Sequence, residues 1–197
     1  MALLITEQSN QVELWESKAK ESYIVGIFAT HGIKNANGRV YEEKILKRET
    51  DKFMNEKVQN KVAWGELGHP SSSEINLANV AIITDSLEWR SNDLYGKAKV
   101  LDTPMGNIVK ALMKDGKVGI SSRGLGTVNE KGFVNNDFTL LCFDIVADAS
   151  NPGSRFMNGI LEGKTFELPS EKMTVKEAQD TYIKYQIDQI KKMMREI

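Results

Sequence analysis

The sequence predicts an α+β fold in which antiparallel strands dominate and helices are inserted between them. Residues 22–30 (SYIVGIFAT) are β-branched and aromatic, which is typical of a core strand. Residues 77–90 and 93–102 form two β-rich runs with a short polar turn between them, which favours an antiparallel hairpin. Residues 138–147 (FTLLCFDIVA) are almost wholly apolar, so they predict a buried strand that carries one carboxylate, Asp144.

Two helices and one further short strand complete this predicted core. Thr103 is a suitable N-cap, and Pro104 suits the first position of a helix. The residues that follow are apolar at helical spacing until Gly116: Met105, Ile108, Val109, Leu112 and Met113. Residues 41–58 contain good helix formers, although their apolar positions fit a helix only loosely. Residues 60–67 predict a short strand that ends in a loop rich in serine.

The chain is long enough for one folded domain with a full core, because it has 197 residues of which 41% are hydrophobic. We expect this domain at residues 22–170. Residues 1–21 mix apolar and charged positions without a period, which predicts a loosely held N-terminal arm. A capping box formed by Thr174 and Glu177 opens an amphipathic helix predicted over residues 171–197. That helix either packs on the core or docks on a partner protein.

The composition indicates which binding partners and which cellular compartment to expect for the protein. Lys and Arg total 26 against 27 Asp and Glu, and the net charge of -1 creates no field that draws the chain to nucleic acid or to an anionic membrane. Proteins are therefore the expected partners. The single cysteine cannot form an intramolecular disulfide, and no leader or membrane-spanning run is seen, which predicts a soluble protein of a reducing cytoplasm. Because the two histidines and the cysteine lack metal-ligand spacing and no phosphate-binding loop is found, neither a metal nor another cofactor is expected.

A histidine and a serine supply the candidate chemistry. Imidazole is the usual base of a serine nucleophile, because it takes and returns a proton near neutrality. His69 lies between Gly68 and Pro70 at a predicted strand end, where the ring is presented rather than packed. Ser121 follows an apolar run and precedes Arg123-Gly124, so we expect its hydroxyl at the end of a strand, with backbone N–H groups and an open approach nearby. Each feature alone also fits an ordinary loop or turn.

Asp144 is the third candidate, because a carboxylate in an apolar strand needs a hydrogen-bond donor such as an imidazole N–H. This carboxylate could instead cap a turn or pair with Arg123 or Arg155. Asp148 competes with Asp144 for the place beside the histidine.

Two other reactive side chains, those of Cys142 and His31, are predicted to have structural roles. Cys142 lies in an apolar run with no cation beside it in the sequence, so we expect a small core residue rather than a nucleophile. His31 precedes an Asn-Gly pair, and we expect it to be a solvated loop residue.

Four motifs occur in the order and rough spacing of a known family. They are Asn37-Gly38-Arg39-Val40-Tyr41, Gly65-Glu66-Leu67-Gly68-His69-Pro70, Gly119-Ile120-Ser121-Ser122-Arg123-Gly124 and Phe143-Asp144-Ile145-Val146. Through these motifs the chain resembles, over about residues 22–155, the prohead core proteases of T-even-like tailed phages. One departure is Gly68, where the family pattern leads us to expect Asn. The resemblance implies a fold similar to that of the herpesvirus capsid-maturation protease, a closed and mostly antiparallel β-barrel wrapped by helices.

The resemblance also implies roles for individual residues. His69 would be the base, Ser121 the nucleophile, and Asp144 the third member in place of the second histidine of the herpesvirus enzymes. The motif around the nucleophile would support the site, with its arginine and the neighbouring backbone amides stabilising the oxyanion: Ser122, Arg123 and Gly124. No metal takes part in this chemistry.

The implied function is that of a serine endopeptidase inside the assembling procapsid, in the host cytoplasm, made as a zymogen. Its substrates would be the capsid scaffold or core proteins, the major capsid protein and the protease itself, and a homo-oligomer is compatible with this role. The resemblance further implies cleavage after Glu in a hydrophobic-x-Glu pattern. Three segments fit that pattern and predict self-trimming of the N-terminal arm: Ile5-Thr6-Glu7, Leu14-Trp15-Glu16 and Ile160-Leu161-Glu162.

Two alternatives stay open at the level of sequence. A non-enzymatic capsid scaffolding or assembly protein on the same fold would not react with a serine-directed acylating probe. An esterase would use the same serine and histidine, but the chain lacks the G-x-S-x-G elbow typical of such enzymes.

Overall fold

The computed structural model describes residues 3–9, 12–16, 21–35 and 37–147. Within these ranges it contains eight β-strands: β1 (Leu3–Ser9), β2 (Val12–Glu16), β3 (Ser22–Thr30), β4 (Trp64–Glu66), β5 (Val80–Arg90), β6 (Asp93–Val100), β7 (Gly119–Gly126) and β8 (Thr139–Val146). The helices are α1 (Glu43–Phe53), which continues as a π-helical turn (Met54–Val58), and α2 (Pro104–Asp115), with a 3₁₀ turn at Leu77–Asn79. The helix predicted over residues 171–197 lies outside the described residues.

Several predicted elements are confirmed. β3 covers the predicted strand, and β5 and β6 form the predicted hairpin, which closes where Arg90 pairs with Asp93. Helix α2 begins as predicted, since the Thr103 hydroxyl accepts a hydrogen bond from the Gly106 N–H at 3.1 Å and Pro104 opens the helix. In the part of the chain that the structure describes, no helix is long and apolar enough to cross a membrane.

The strands form two sheets, in which all neighbouring strands are antiparallel. The smaller sheet has the order β1-β7-β8, and the larger has the order β2-β3-β6-β5-β4. The α+β class with mostly antiparallel strands is therefore confirmed. The predicted closed barrel is not found among the described strands. A single parallel bridge between Leu67 and Ile145 joins the end of β4 to β8, and no ladder follows because the chain turns away at Gly68. The likeness to the herpesvirus protease fold stays a prediction.

The N-terminal segment differs from its prediction. β1 pairs with β7 from Leu3 opposite Gly126 to Ser9 opposite Ile120, and β2 pairs with β3. The predicted loosely held arm is therefore wrong for residues 3–9 and 12–16. Backbone ladders join strands through N–H and C=O groups that every residue carries, so a segment without a side-chain period can still pair. As a result β7 is a central strand with a partner on each edge.

Aromatic side chains form the centre of the core and fix β8 against its surroundings. The Phe143 ring of β8 lies 5.1 Å from the Phe28 ring of β3 and 5.6 Å from the Phe53 ring of α1, measured between ring centroids. All three are almost fully buried. Such tilted and edge-on aromatic pairs add to the free energy of burial. The strand that carries Asp144 is thereby held from two sides.

Candidate functional site

The site begins on the face shared by β7 and β8. Ser121 lies directly opposite Asp144, and Arg123 lies opposite Cys142. Because side chains alternate between the two faces of a strand, residues two apart share one face, and directly paired residues on neighbouring strands lie side by side. The strand register alone therefore makes Ser121 and Asp144, two of the predicted site residues, neighbours.

Ser121 does not lie where the sequence predicted. The expected strand end is wrong, because β7 continues through Ser121 to Gly126 and the serine is fully buried. The physical reason is that β7 pairs along both edges, so its small polar residues continue the ladder instead of ending it. The nucleophile candidate thus lies in the middle of a rigid central strand.

His69 approaches this face from the loop after β4. Gly68 has a φ of +89°, a left-handed conformation that glycine adopts without strain and asparagine tolerates better than most residues. This explains how glycine can stand where the family pattern predicts Asn. The Gly68 N–H donates to the carbonyl of Ile145 at 2.7 Å, which anchors the turn beside Asp144.

The three predicted residues converge in one hydrogen-bonded chain. His69 Nε2 lies 2.5 Å from Ser121 Oγ, and His69 Nδ1 lies 3.2 Å from Asp144 Oδ2. An ionised carboxylate only accepts hydrogen bonds, so Nδ1 carries the proton toward Asp144 and Nε2 is left to accept the serine proton. The serine and the aspartate are fully buried, while the histidine side chain is 17% exposed. Such a geometry can supply a nucleophile, a base and an orienting carboxylate.

Asp144 accepts hydrogen bonds on both carboxylate oxygens. Oδ1 accepts from the Glu66 backbone N–H at 2.9 Å and from Arg123 Nη2 at 3.2 Å. Oδ2 lies 2.8 Å from Arg123 Nε in addition to its contact with His69. The two partners that the sequence offered as alternatives, an imidazole and Arg123, are therefore both used. Arg155 and the competing Asp148 lie outside the described residues.

Arg123 is a fully buried cation that contacts several elements at once. Besides Asp144 it donates from Nη2 to Glu66 Oε1 at 2.9 Å and from Nη1 to the Ser72 carbonyl at 2.8 Å. Burial acts to lower the pKa of Arg123, but its interactions with Cys142, Asp144 and Glu66 outweigh burial and raise the pKa above its ordinary value. The guanidinium is thus a permanent charge whose contacts favour a positioning role over the predicted direct contact with an oxyanion.

Glu66 belongs to this cluster and was missed as a site residue. Its carboxylate is fully buried and contacts Arg123, and its backbone N–H contacts Asp144. The signal was present in the sequence, since Glu66 is a charged residue in a predicted strand just before His69. The argument used for Asp144, that a carboxylate in a buried strand needs a donor, applies equally to it.

The remaining predicted support residues have different surroundings. Ser122 lies on the face of β7 opposite to Ser121, because successive side chains alternate. Gly124 does not open an approach to the serine: a Cβ there would lie 2.4 Å from a carbon of the Phe138 ring. The glycine is needed for close packing of that ring.

Cys142 and His31 complete the set of candidate side chains. Burial, followed by the charge of Asp144, raises the pKa of the Cys142 thiol well above its usual range, so the sulfur stays protonated. The prediction of a core cysteine is confirmed, since the residue is fully buried. The prediction of a solvated His31 is wrong. Its ring packs on Trp89 at 5.2 Å between centroids and only 7% of the residue is exposed, because its backbone N–H binds the Asn92 carbonyl and folds the loop inward.

Gly65 sets the spacing between β4 and β8, and its replacement provides a test. A Cβ at this position would lie 2.0 Å from the backbone oxygen of Phe143, a clash that no side-chain rotation relieves. We expect Gly65→Ala to lower the free energy of unfolding by about 1–3 kcal/mol in urea denaturation, the usual cost of overpacking. As the control, Gly116→Ala should cost less, because its Cβ meets only the Leu112 carbonyl oxygen at 3.3 Å. Equal costs for the two changes would contradict the close approach of β4 to β8.

Comparison with known proteins identifies the class that the fold and site define. The chain belongs to the prohead core protein serine protease family, whose sequence model matches residues 7–164. It is 38% identical over 125 residues to the prohead core protein protease of Enterobacteria phage T4, an alignment that covers 60% of this chain and 59% of that protein. The chain thus matches about three fifths of that relative's length. The solved bacteriophage T4 capsid assembly protease superposes with a TM-score of 0.69 at 29% identity, covering 75% of this chain and 99% of that one.

Proposed function

We propose that the chain is a serine endopeptidase that acts inside the phage prohead during capsid maturation. One observation carries the proposal: the 2.5 Å contact between His69 Nε2 and Ser121 Oγ, with Asp144 on the other ring nitrogen. Membership of the prohead core protein serine protease family supports the reaction and the location. The substrates we propose are the capsid scaffold or core proteins, the major capsid protein and the chain itself.

The proposed reaction proceeds through an acyl-enzyme. His69 Nε2 takes the hydroxyl proton as Ser121 Oγ bonds to the carbonyl carbon of the scissile peptide, whose π electrons move onto oxygen. When the tetrahedral intermediate collapses, the C–N bond breaks and the leaving amine receives the proton from Nε2. A water molecule then repeats the sequence, releases the acid product and restores the serine. The contribution of Ser122, Arg123 and Gly124 to oxyanion stabilisation stays a prediction.

Burial of the nucleophile supports an inactive form that must open. Ser121 is fully buried, so a peptide carbonyl can reach Oγ only after its surroundings move. We therefore propose that the described conformation corresponds to a zymogen, with activation coupled to prohead assembly. Conformational steps of this kind commonly control access to an active site.

The N-terminal strand offers a substrate for self-cleavage. In the ladder between β1 and β7, Glu7 lies opposite Ser122 and Gln8 lies opposite Ser121. The bond between Glu7 and Gln8 comes directly after the hydrophobic-x-Glu segment Ile5-Thr6-Glu7. The ladder places this bond beside β7, the strand that carries Ser121. A second match ends at Glu16, and the match at residues 160–162 lies outside the described residues.

We expect active preparations to lose the N-terminal segment. Intact-mass measurement should show fragments that begin at Gln8 or Ser17, and the Ser121→Ala protein should keep its full mass under the same conditions. Mixing the alanine variant with active parent then distinguishes cleavage within one molecule from cleavage between molecules, because only the second would trim the variant. A full-length parent that cleaves scaffold protein at its normal rate would contradict self-trimming at these bonds.

A further inference from the structure

A second buried carboxylate lies beside the catalytic one, with a single cation between them. Glu66, Arg123 and Asp144 are each fully buried. The guanidinium contacts both carboxylates, at 2.9 Å to Glu66 Oε1 and at 2.8 and 3.2 Å to the Asp144 oxygens. With both carboxylates ionised, the cluster carries one positive and two negative charges, a net charge of -1. A net charge away from water is unfavourable unless something compensates it.

The pair of Arg123 and Asp144 would be neutral without Glu66. A neutral pair stabilises a protonated His69 ring only weakly, because the guanidinium repels the positive ring while the carboxylate attracts it. Glu66 balances the guanidinium and leaves the charge of Asp144 in excess. When His69 takes the serine proton, the charge of the whole cluster becomes zero.

We propose that Glu66 is a positioning residue of this site, which neutralises Arg123 so that Asp144 can stabilise the protonated ring of His69. The inference rests on the proposed function, since it assigns a role to the charge that His69 gains during peptide cleavage. The titratable groups that the described contacts bring together here are Arg123 from β7, Cys142 and Asp144 from β8, Glu66 from β4, and His69 from the loop after β4. Cys142 adds no charge, because burial raises the pKa of its thiol.

Glu66 also holds both ends of the loop that carries the histidine. Its Oε1 accepts the Asn76 N–H at 3.0 Å, and the loop begins directly after Glu66 itself. Near the middle of the loop, the Ser72 carbonyl accepts a hydrogen bond from Arg123 Nη1 at 2.8 Å. Glu66 Oε2 is buried and has no hydrogen-bond partner among the described residues.

The first test changes the charge of Glu66 and keeps its shape. Glu66→Gln should lower kcat by about tenfold or more with KM unchanged, because the lost interaction is one between charges across a few ångströms of protein. The acidic limb of the pH–rate profile should move to lower pH, since a less negative surrounding favours the neutral ring. Glu49→Gln is the matched control, because Glu49 is also buried and binds Arg48 and the Leu140 N–H outside this cluster. Equal changes in the two variants would overturn the proposal.

The second test does not depend on cleavage, so its failure is distinct from failure of the proposed function. The chain has two histidines, and NMR can follow the ring signals of both against pH in the full-length Ser121→Ala protein. Addition of Glu66→Gln should move the midpoint of the His69 signals to lower pH and leave that of His31 in place. An unchanged His69 midpoint would overturn the proposal even if the parent enzyme cleaves peptides.

Charge balance also predicts the His69 midpoints of two further variants. Arg123→Gln should move the His69 midpoint to higher pH than in the parent, because two unbalanced carboxylates remain. The double variant with Glu66→Gln and Arg123→Gln should return to the parental midpoint, since its net charge is again that of Asp144 alone. If Glu66→Gln does not fold, this double variant decides: a parental midpoint supports the proposal, and a midpoint displaced to lower pH contradicts it.

Discussion

The Ser121→Ala protein is expected to have no measurable peptidase activity while it keeps its fold. Removal of the nucleophile of a serine protease lowers kcat on the order of 10⁶-fold. Ser121 Oγ is the atom that His69 Nε2 contacts at 2.5 Å, so alanine removes the bond-forming oxygen and leaves the base without its proton donor. The assay is cleavage of purified scaffold or core protein, followed by the appearance of fragments with time.

The neighbouring serine provides the matched control for this change. Ser122 lies on the opposite face of β7, so Ser122→Ala keeps the backbone of the strand and removes no atom that contacts His69. We expect its kcat to fall less than about tenfold, within the range of a lost neutral hydrogen bond. Thermal unfolding of both variants checks that the strand is intact. Parental cleavage by a folded Ser121→Ala protein would rule out Ser121 as the nucleophile.

The Asp144→Asn protein is expected to show the second-largest effect, a fall in kcat of about 10⁴-fold. The amide would no longer require Nδ1 to donate, so the imidazole can turn to the tautomer that protonates Nε2 and cannot accept the serine proton. The variant also removes one of the two carboxylates that contact Arg123. Steady-state kinetics should place the loss in kcat, because Asp144 is fully buried behind the ring.

Asp137→Asn separates this effect from a general loss of carboxylates. Asp137 lies just before the same strand and accepts the backbone N–H of Thr127 at 3.1 Å in an exposed loop. We expect this control to keep activity within about twofold, as is usual for surface substitutions. A loss of only a few-fold in Asp144→Asn would assign Asp144 to structure and leave another group to orient His69.

Local chemistry in the sequence was enough to predict most individual elements. Residues 22–30 form the predicted strand because β-branched and aromatic side chains fit a half-buried sheet, and α2 begins at its predicted cap because Thr103 satisfies a free N–H. The motifs also led to His69, Ser121 and Asp144, which the fold brings into contact. These predictions depend on short stretches of chain, where periodicity and capping are informative.

Features that depend on distant pairing were beyond the sequence. Whether β7 ends at Ser121 or continues depends on its pairing with β1 and β8, and the N-terminal strand shows no side-chain period of its own. The predicted closed barrel is not found among the described strands, where one bridge joins the end of β4 to β8 before the chain turns at Gly68. Glu66 was missed although a charged residue in a predicted strand signals the need for a donor, and only the folded protein shows that this donor is Arg123.

The most direct measurement of the central claim is the site of covalent modification by a serine-directed phosphonylating or acylating reagent. The parent protein, in a preparation with measured peptidase activity, is treated with the reagent, digested and mapped by mass spectrometry. We predict one adduct, on Ser121, that appears in step with loss of activity and is absent from the His69→Gln protein. Loss of activity with the adduct on another residue, or full activity in a protein modified at Ser121, would contradict the account.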